Sequence, residues 1–431
     1  MSERVRVDAE TILKAALAAV DPERLIRERL TLVPRSGDSG AEFHADGRPL
    51  APAVRVGDRG RIVVVGGGKA AAGMAAGLER VLGPERLAGG RTTGLVSVPA
   101  GCGRRLESIE VRETRPAAQN LPTPAVVTAT QEMLATVSRL SAEDLVIAVL
   151  SGGGSALLAA PRPGVALAEK IAATRRLSEA GADIATLNAM RRTMSLVKGG
   201  GLALACTAGT LLVLVLSDVI GSDLDVIASG PCMPPSGGAA DGCWTTPTGC
   251  RVVHRFIGDN ATAVAAAAAA ARQAGYEVVT APPAGGAAEA VGGELFASGR
   301  AMLETARRDG RPRAVISGGE ATVTVPVEHG LGGRNQQTAV AALVAADRVG
   351  GWPAGLLVAS IGTDGEDGPT TAAGGWIDAE VAATVAAHGL DVEAAVARCD
   401  AHPLLGAAGG LVRTGPTGTN VADLWIVLAR P

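Results

Sequence analysis

The sequence predicts an α/β protein of two domains, and three observations carry that reading. Its 431 residues exceed what a single core usually holds. Hydrophobic residues make up 47% of the chain and glycine fills 58 positions, which suits a globular α/β chain rather than a disordered one. Short apolar runs ending in glycine-rich turns alternate with helical stretches, the pattern of a mostly parallel sheet covered on both faces.

In chain order, residues 8–30 carry apolar positions at helical spacing, broken at Asp21-Pro22. Residues 31–60, rich in Gly, Pro and charge, read as a loop. RIVVVGGGKAAAG then gives strand, glycine turn and helix, followed by strands at TTGLVSVP and SIEVRE and a helix over 124–140. LVIAVL is a buried strand that ends in Ser151-Gly152-Gly153-Gly154-Ser155. Two helical segments occupy 166–207, and TLLVLVL is a second buried strand, ending in Ser217-Asp218. The aperiodic Pro, Gly and Thr after residue 231 place the domains at 1–250 and 251–431. The second half restarts with IGDN and a long alanine helix, then the strand YEVVT, a helix to about Arg308 and the strand RAVISGGEATVTVP. A glycine turn and helix at GLGGRNQQ, the strand GLLVAS, two short helices and a terminal strand complete it.

Bulk properties remove several functions. Net charge is −3 and aromatics are 2%, so the basic footprint and stacking rings of a nucleic-acid binder are missing. No apolar run approaches the ~20 residues of a membrane span, and the charged first residues lack a signal-peptide core, so a cytoplasmic protein is expected. Six scattered cysteines without a CxxC pair fit free thiols in a reducing compartment. Cys232, Cys243, Cys250 and His254 lie close in sequence, but their spacing matches no common zinc pattern.

The loops carry the chemistry. Only four of 40 basic residues are lysine, and two of these, Lys69 and Lys198, abut glycine runs, a placement that suits an anion held while it changes geometry. Gly66-x-Gly68-x-x-Ala71 after a strand fits a loosened dinucleotide fingerprint, yet the next strand ends in Ser97-Val98-Pro99 without the ribose-binding acid. No Walker pattern, GxSxG elbow or HExxH pair occurs. Phosphoryl transfer asks for amides, cations, a metal-holding carboxylate and an oriented acceptor. Here the Ser151–Ser155 and Gly332–Gly333 loops offer amides, and Lys69, Lys198 and Arg334 offer cations. Asp218 and Asp364, at strand ends, offer ligands for Mg2+. Arg191 or Arg192, after Asn188, could fork onto a substrate carboxylate. The repeated scheme, a strand ending in SGG (Ser151, Ser317) and a later one ending in hydroxyl plus Asp, points to two lobes facing a shared cleft.

Nine stretches in order make the motifs collectively specific: GGGKAAAGMA, LSGGGSALLAAP, LNAMRRTMSLVKGGGLA, LSDVIGSDLDVIASGP, IGDN, SGGEATV, GLGGRNQQ, GTDGEDGPTTAAGG and GPTGTNVADL. On these the chain resembles the two-domain glycerate 2-kinase family, whose C-terminal part is called the MOFRL domain. The resemblance implies a Rossmann-like N-terminal domain, a smaller α/β C-terminal domain across a cleft, and ATP- and Mg2+-dependent phosphorylation of D-glycerate at the 2-hydroxyl. It maps the family's functional lysine to Lys69 and the GGRN arginine to Arg334, which we assign with Asp218 to catalysis; Asp218 and Asp364 are the metal candidates. Gly67, Gly68, Ser151, Gly152, Gly153, Gly154, Ser155, Asn188, Arg191 and Lys198 are expected to contact substrate or phosphate, as are Glu320, Gly333, Asn335, Asp367, Thr419 and Asn420. The expected partners are glycerate and ATP, with a homodimer left open. Members also carry the label hydroxypyruvate reductase, so an NAD(P)H-dependent reductase is the alternative, beside a kinase of a related hydroxy acid. The chain departs from the family in the short 231–250 segment, in Thr193 where many members have His, and in QNLPTP.

Overall fold

A computed structural model describes residues 2–35, 40–117, 119–179, 184–218, 227–235 and 242–431, apart from the side chains of 178, 179, 184 and 185. Two compact units result: a first of Asp21–Asp259 with Gly418–Asn420, and a second of Met1–Val20, Asn260–Thr417 and Val421–Pro431.

In the first unit, α2 (Pro22–Arg29) starts at Asp21, whose carboxylate accepts from the Arg24 amide, with Pro22 at the first helical position. Residues 31–60 are not a loop, as their composition implied. They form an antiparallel sheet of β1 (Leu30–Pro34), β2 (Gly40–Ala45) and β3 (Arg48–Gly57). Ala41 and Phe43 alternate with more exposed residues along β2, and Leu50, Val54 and Val56 are the buried positions of β3. Two prolines and a bulge after Phe43 hide that period.

The main sheet of this unit holds β4 (Ile62–Gly67), β5 (Thr92–Pro99), β6 (Ile109–Arg115), β7 (Leu145–Ser151), β8 (Thr210–Leu216), β9 (Cys243–Thr245) and β10 (Arg251–Gly258). Its order is β6-β5-β4-β7-β8-β10-β9, parallel throughout except for the antiparallel edge strand β9. The six parallel strands follow the doubly wound order 3-2-1-4-5-6, so the expected Rossmann-like sheet is present. Every residue of β7 and β8 is buried, as their unbroken apolar runs require. The helices are α3 (Ala71–Leu87), α4 (Pro124–Val137), α5 (Gly154–Leu157), α6 (Leu167–Glu179), α7 (Ile184–Thr193) and α8 (Gly201–Ala205).

The second unit contains α1 (Ser2–Ala19), α9 (Asn260–Gln273), α10 (Ala288–Asp309), α11 (Arg334–Asp347), α12 (Ala379–Ala387), α13 (Val392–Ala397) and α14 (Ala401–Ala408). Its strands are β11 (Glu277–Thr280), β12 (Ala284–Ala287), β13 (Arg313–Thr322), β14 (Leu356–Gly362), β15 (Gly374–Ile377), β16 (Leu411–Val412) and β17 (Asp423–Ala429). The path is β11-β13-β17-β14-β15-β16, with β12 also on β13. The pairs β11/β13 and β12/β13 are parallel and the others antiparallel, so this sheet is mixed.

The partition differs from the expected split at 250/251 in two ways. Strand β10 pairs along β8 and so belongs with the residues before it. Helix α1 packs on α9, and its Asp8 accepts from the Tyr276 hydroxyl at 2.8 Å, so the first residues join the second unit. A linear composition shift cannot reveal either pairing. Among the described residues no helix is long and apolar enough to cross a membrane.

Candidate active site

Strand order reverses between β4 and β7, which lie side by side with Gly67 opposite Leu150. A crevice opens at the carboxyl ends of strands at such a point. Here the Lys69 amide donates to the Gly152 carbonyl at 2.9 Å and the Ala70 amide to Ser151 Oγ at 3.0 Å, so the two glycine turns are tied together. Gly153 has φ +78°, a conformation that disfavours any side chain. Lys69 Cγ and Arg115 Nη2 each lie 3.6 Å from where a Gly153 Cβ would stand. A Cβ on Gly152 would collide with Asp218 and Asn420, and Asn420 Nδ2 donates to Asp218 Oδ2 at 3.2 Å. Three neighbouring strand ends thus bring together Lys69, the 151–155 loop and Asp218, with Thr419 buried beside Asn420 in the same unit.

A polar chain leads away from this loop. Ser155 Oγ is 2.9 Å from Ser229 Oγ, which donates to Asn188 Oδ1 at 2.9 Å. Asn188 Oδ1 also accepts from Arg191 Nη1 at 3.3 Å. Lys198 Nζ donates to the Ala228 carbonyl at 2.7 Å. Burial holds the Lys198 pKa well below the usual lysine value, and Lys170 and Arg191 push it the same way.

In the second unit β17 lies between β13 and β14 and starts with Asp423, which is fully buried. Arg334, the first residue of α11, forks onto it: Nε donates to Oδ2 at 2.8 Å and Nη2 to Oδ1 at 2.9 Å. Arg334 Nη1 donates to Glu320 Oε1 at 2.6 Å. Burial works against the guanidinium charge, but Asp423, Glu320 and Asp364 outweigh it and raise the Arg334 pKa. Asp364, two residues beyond β14, also accepts from the Glu366 amide at 3.0 Å.

Burial raises the Asp423 pKa to about 6, against the pull of Arg334 and Asn335, so the pair is ionised at neutral pH. The sign for stability follows. The folded chain keeps a proton that the unfolded one releases near 3.8, so this contribution is complete below that value and is lost as pH rises through about 6. Urea midpoints measured at pH 4.5 and 7.5 should therefore show wild type gaining on Asp423→Asn towards acid. A difference independent of pH would reject the shifted carboxyl.

Two expected ligand contacts have another task. Asp367 accepts from the Asn335 and Gln336 amides at 3.0 and 2.8 Å and from Gln336 Nε2 at 2.9 Å. Its carboxylate therefore occupies the N-terminus of α11, where the Gly332–Gly333 turn was expected to offer amides to phosphate. Asn335 is buried as well, donating to Asp423 at 3.0 Å and accepting from Ser360 Oγ at 2.6 Å. Both hold Arg334 in place. Gly333 serves the same end, because a Cβ there would strike Asp367. Glu320, half exposed on β13, acts here as an acidic partner of Arg334.

Among the described residues no group of three or more His, Cys, Asp or Glu could hold a metal. The zinc pattern weighed around Cys232 does not form there: His254 Nδ1 faces the Gly242 carbonyl at 2.8 Å and Cys250 Sγ faces Cys206 Sγ at 3.6 Å. Residues 219–226, and 236–241 within the 231–250 segment where the chain departs from the family, lie outside the described residues. Sequence reasoning missed Arg115, Lys170, Ser229 and Asp423. Arg115 and Asp423 sit at strand termini, the signal that found Asp218, but neither lies in a glycine-rich loop.

The domain of unknown function DUF4147 matches residues 8–254, and the MOFRL family matches residues 313–423. The human glycerate kinase is 32% identical, over 98% of this chain and 93% of that protein. The chain belongs to the glycerate kinase family with a C-terminal MOFRL domain. The D-glycerate 2-kinase of Thermotoga maritima is 33% identical over 99% of both chains. The crystal structure of a glycerate kinase from the same organism superposes with a TM-score of 0.76 at 32% identity, covering 99% of this chain and 100% of that one. Family membership thus spans both units.

Proposed function

We propose that this protein transfers the γ-phosphoryl group of ATP to the 2-hydroxyl of D-glycerate, forming 2-phosphoglycerate, with Mg2+ as the accompanying cation. The observation that carries the reading is the group at the strand crossover: Lys69 and Arg115 against Gly153, and Asp218 against Gly152. Full-length relatives named glycerate kinase support it.

In the transfer, a bond forms from the acceptor oxygen to the γ-phosphorus and the bond to the ADP oxygen breaks, with loss of the hydroxyl proton. The transition state spreads charge over three equatorial oxygens, so catalysis rests on placed cations and amides. Lys69 is the mobile point charge, assigned to follow the phosphoryl group as it moves. Arg334, its fork preset by Asp423, is the second cation assigned to catalysis. Asp218 and Asp364 are each a candidate to hold Mg2+, which takes one or two carboxylates and completes its shell with phosphate oxygens and water. Single half-buried carboxylates at strand ends fit that mode. When bound, the cation neutralises the β- and γ-phosphate oxygens.

A nicotinamide reductase would need an acid at the end of β5 to hold the ribose. That strand ends in the buried Ser97, Val98 and Pro99. The test is ADP release by purified protein with ATP, Mg2+ and D-glycerate, beside NADH and NADPH oxidation with hydroxypyruvate. ADP formed only with glycerate, and a phosphorus NMR signal of 2-phosphoglycerate, is the expected result. Consumption of either reduced cofactor without ADP would overturn the proposal, and 3-phosphoglycerate would overturn its regiochemistry.

A further inference from the structure

Of the four lysines only Lys170 and Lys198 are buried, and they share a corner of the first unit with Arg191. Lys170, on α6, is 4% exposed, and its Nζ has no hydrogen-bond partner among the described residues. No carboxylate among the described residues is paired with it, with Lys198 or with Arg191. The three cations repel one another: Arg191 acts on Lys170, and both act on Lys198. Burial and this repulsion together bring the Lys170 pKa down to about 8. Two buried ammonium groups beside a part-buried guanidinium, with no counterion among the described residues, leave a large cost uncompensated, and a bound anion would offset it.

The polar chain described above links this corner to the phosphate-type loop. Ser155 belongs to that loop, and Ser229 and Asn188 carry the connection to Arg191. The corner is therefore a short step from the loop assigned to phosphate, and hydroxyl and amide groups line the way. A small acceptor with its reacting hydroxyl at the loop would place its acid group here.

We propose that Lys170, with Arg191 and Lys198, forms the carboxylate-binding subsite for the acceptor, and that Lys170 sets specificity for a 2-hydroxy acid over its uncharged analogues. This rests on the kinase reading for the identity of the acceptor, but its test does not need turnover. Lys170 is a specificity residue because, among the described residues, its ammonium is the one cation of the three without a hydrogen-bond partner.

The experiment is thermal unfolding of the full chain with D-glycerate alone, with glyceramide and with ATP–Mg2+, for wild type, Lys170→Met and Lys170→Arg. Anion binding to the folded state raises Tm by mass action. D-glycerate should raise the wild-type Tm and glyceramide should not. Lys170→Met should lose that shift, keep the shift from ATP–Mg2+, and hold or raise its own Tm, since it removes a repelled charge. In turnover its KM for D-glycerate should rise about tenfold or more, the loss expected for one charge-assisted hydrogen bond, with kcat little changed. Lys170→Arg should restore the shift in part. A glycerate shift that survives in Lys170→Met overturns the proposal, and so does the absence of any shift in wild type. Loss of the ATP–Mg2+ shift instead would reassign the corner to phosphate and overturn it equally. Failure of the kinase reading would show separately, as a glycerate-dependent shift in wild type without ADP release.

Discussion

Arg334→Ala is expected to lower kcat by about 10³-fold or more and to destabilise the second unit by about 3 kcal/mol. The two effects have different origins. Turnover should fall because the proposed role of Arg334 is that of a fixed cation for the transferring charge, and a cation of this kind is worth about 10³ or more in phosphoryl transfer. Stability falls because Asp423, fully buried, loses two of its three donors and keeps only Asn335 at 3.0 Å. An unpaired buried carboxylate costs about 3–5 kcal/mol; the lower figure applies because Asp423 can take up a proton, its pKa being already about 6. Arg334→Met combined with Asp423→Asn separates the two terms. It should recover most of the urea midpoint and none of the turnover. Recovery of kcat in the double variant would mean that Arg334 acts only as a brace, and near-wild-type kcat in Arg334→Ala would remove it from the mechanism.

Lys69→Ala is expected to lower kcat by about 10³-fold as well, with stability within about 0.5 kcal/mol of wild type. Its side chain is half-buried, outside the packed core, and its Cγ and Arg115 Nη2 both flank Gly153. The backbone that shapes the loop is untouched, since the Lys69 amide donates to Gly152 whatever the side chain. An interaction made mainly in the transition state lowers kcat and kcat/KM together, so KM for glycerate should hardly move. Lys69→Arg should recover little, because a planar fork on a longer stem cannot follow the moving group as an ammonium does. A variant that loses KM and keeps kcat would make Lys69 a binding residue only. Comparing both single variants by circular dichroism guards against loss of fold.

The sequence by itself determined the doubly wound sheet, because buried parallel strands must be apolar on both faces and their turns must be glycine-rich. Lys69, the 151–155 loop, Asp218 and Arg334 stood out as candidates for the same reason, as each follows an apolar run or a glycine pair. Residues 31–60 were not legible as a sheet. Their alternation is short, crossed by Pro49 and Pro52, and gains meaning only when three strands pair. Nor did the linear order announce that α1 packs on α9 or that β10 joins β8.

Tertiary structure alone decided which polar side chains face one another. Asp367 read as a ligand contact because it stands in an acidic, glycine-rich loop. Only folding brings it over the first amides of α11, more than thirty residues away in the chain, where it fills the place of an anion. Asp423 looked like the first residue of a strand, yet it is the counterion that presets Arg334. In the sequence Lys170 was only one of four lysines, within the helical stretch 166–207. Its burial beside Arg191 and Lys198 is set by how α6, α7 and the 195–201 turn pack. Local patterns record what each segment needs from its neighbours in sequence, whereas charge balance is settled by neighbours in space.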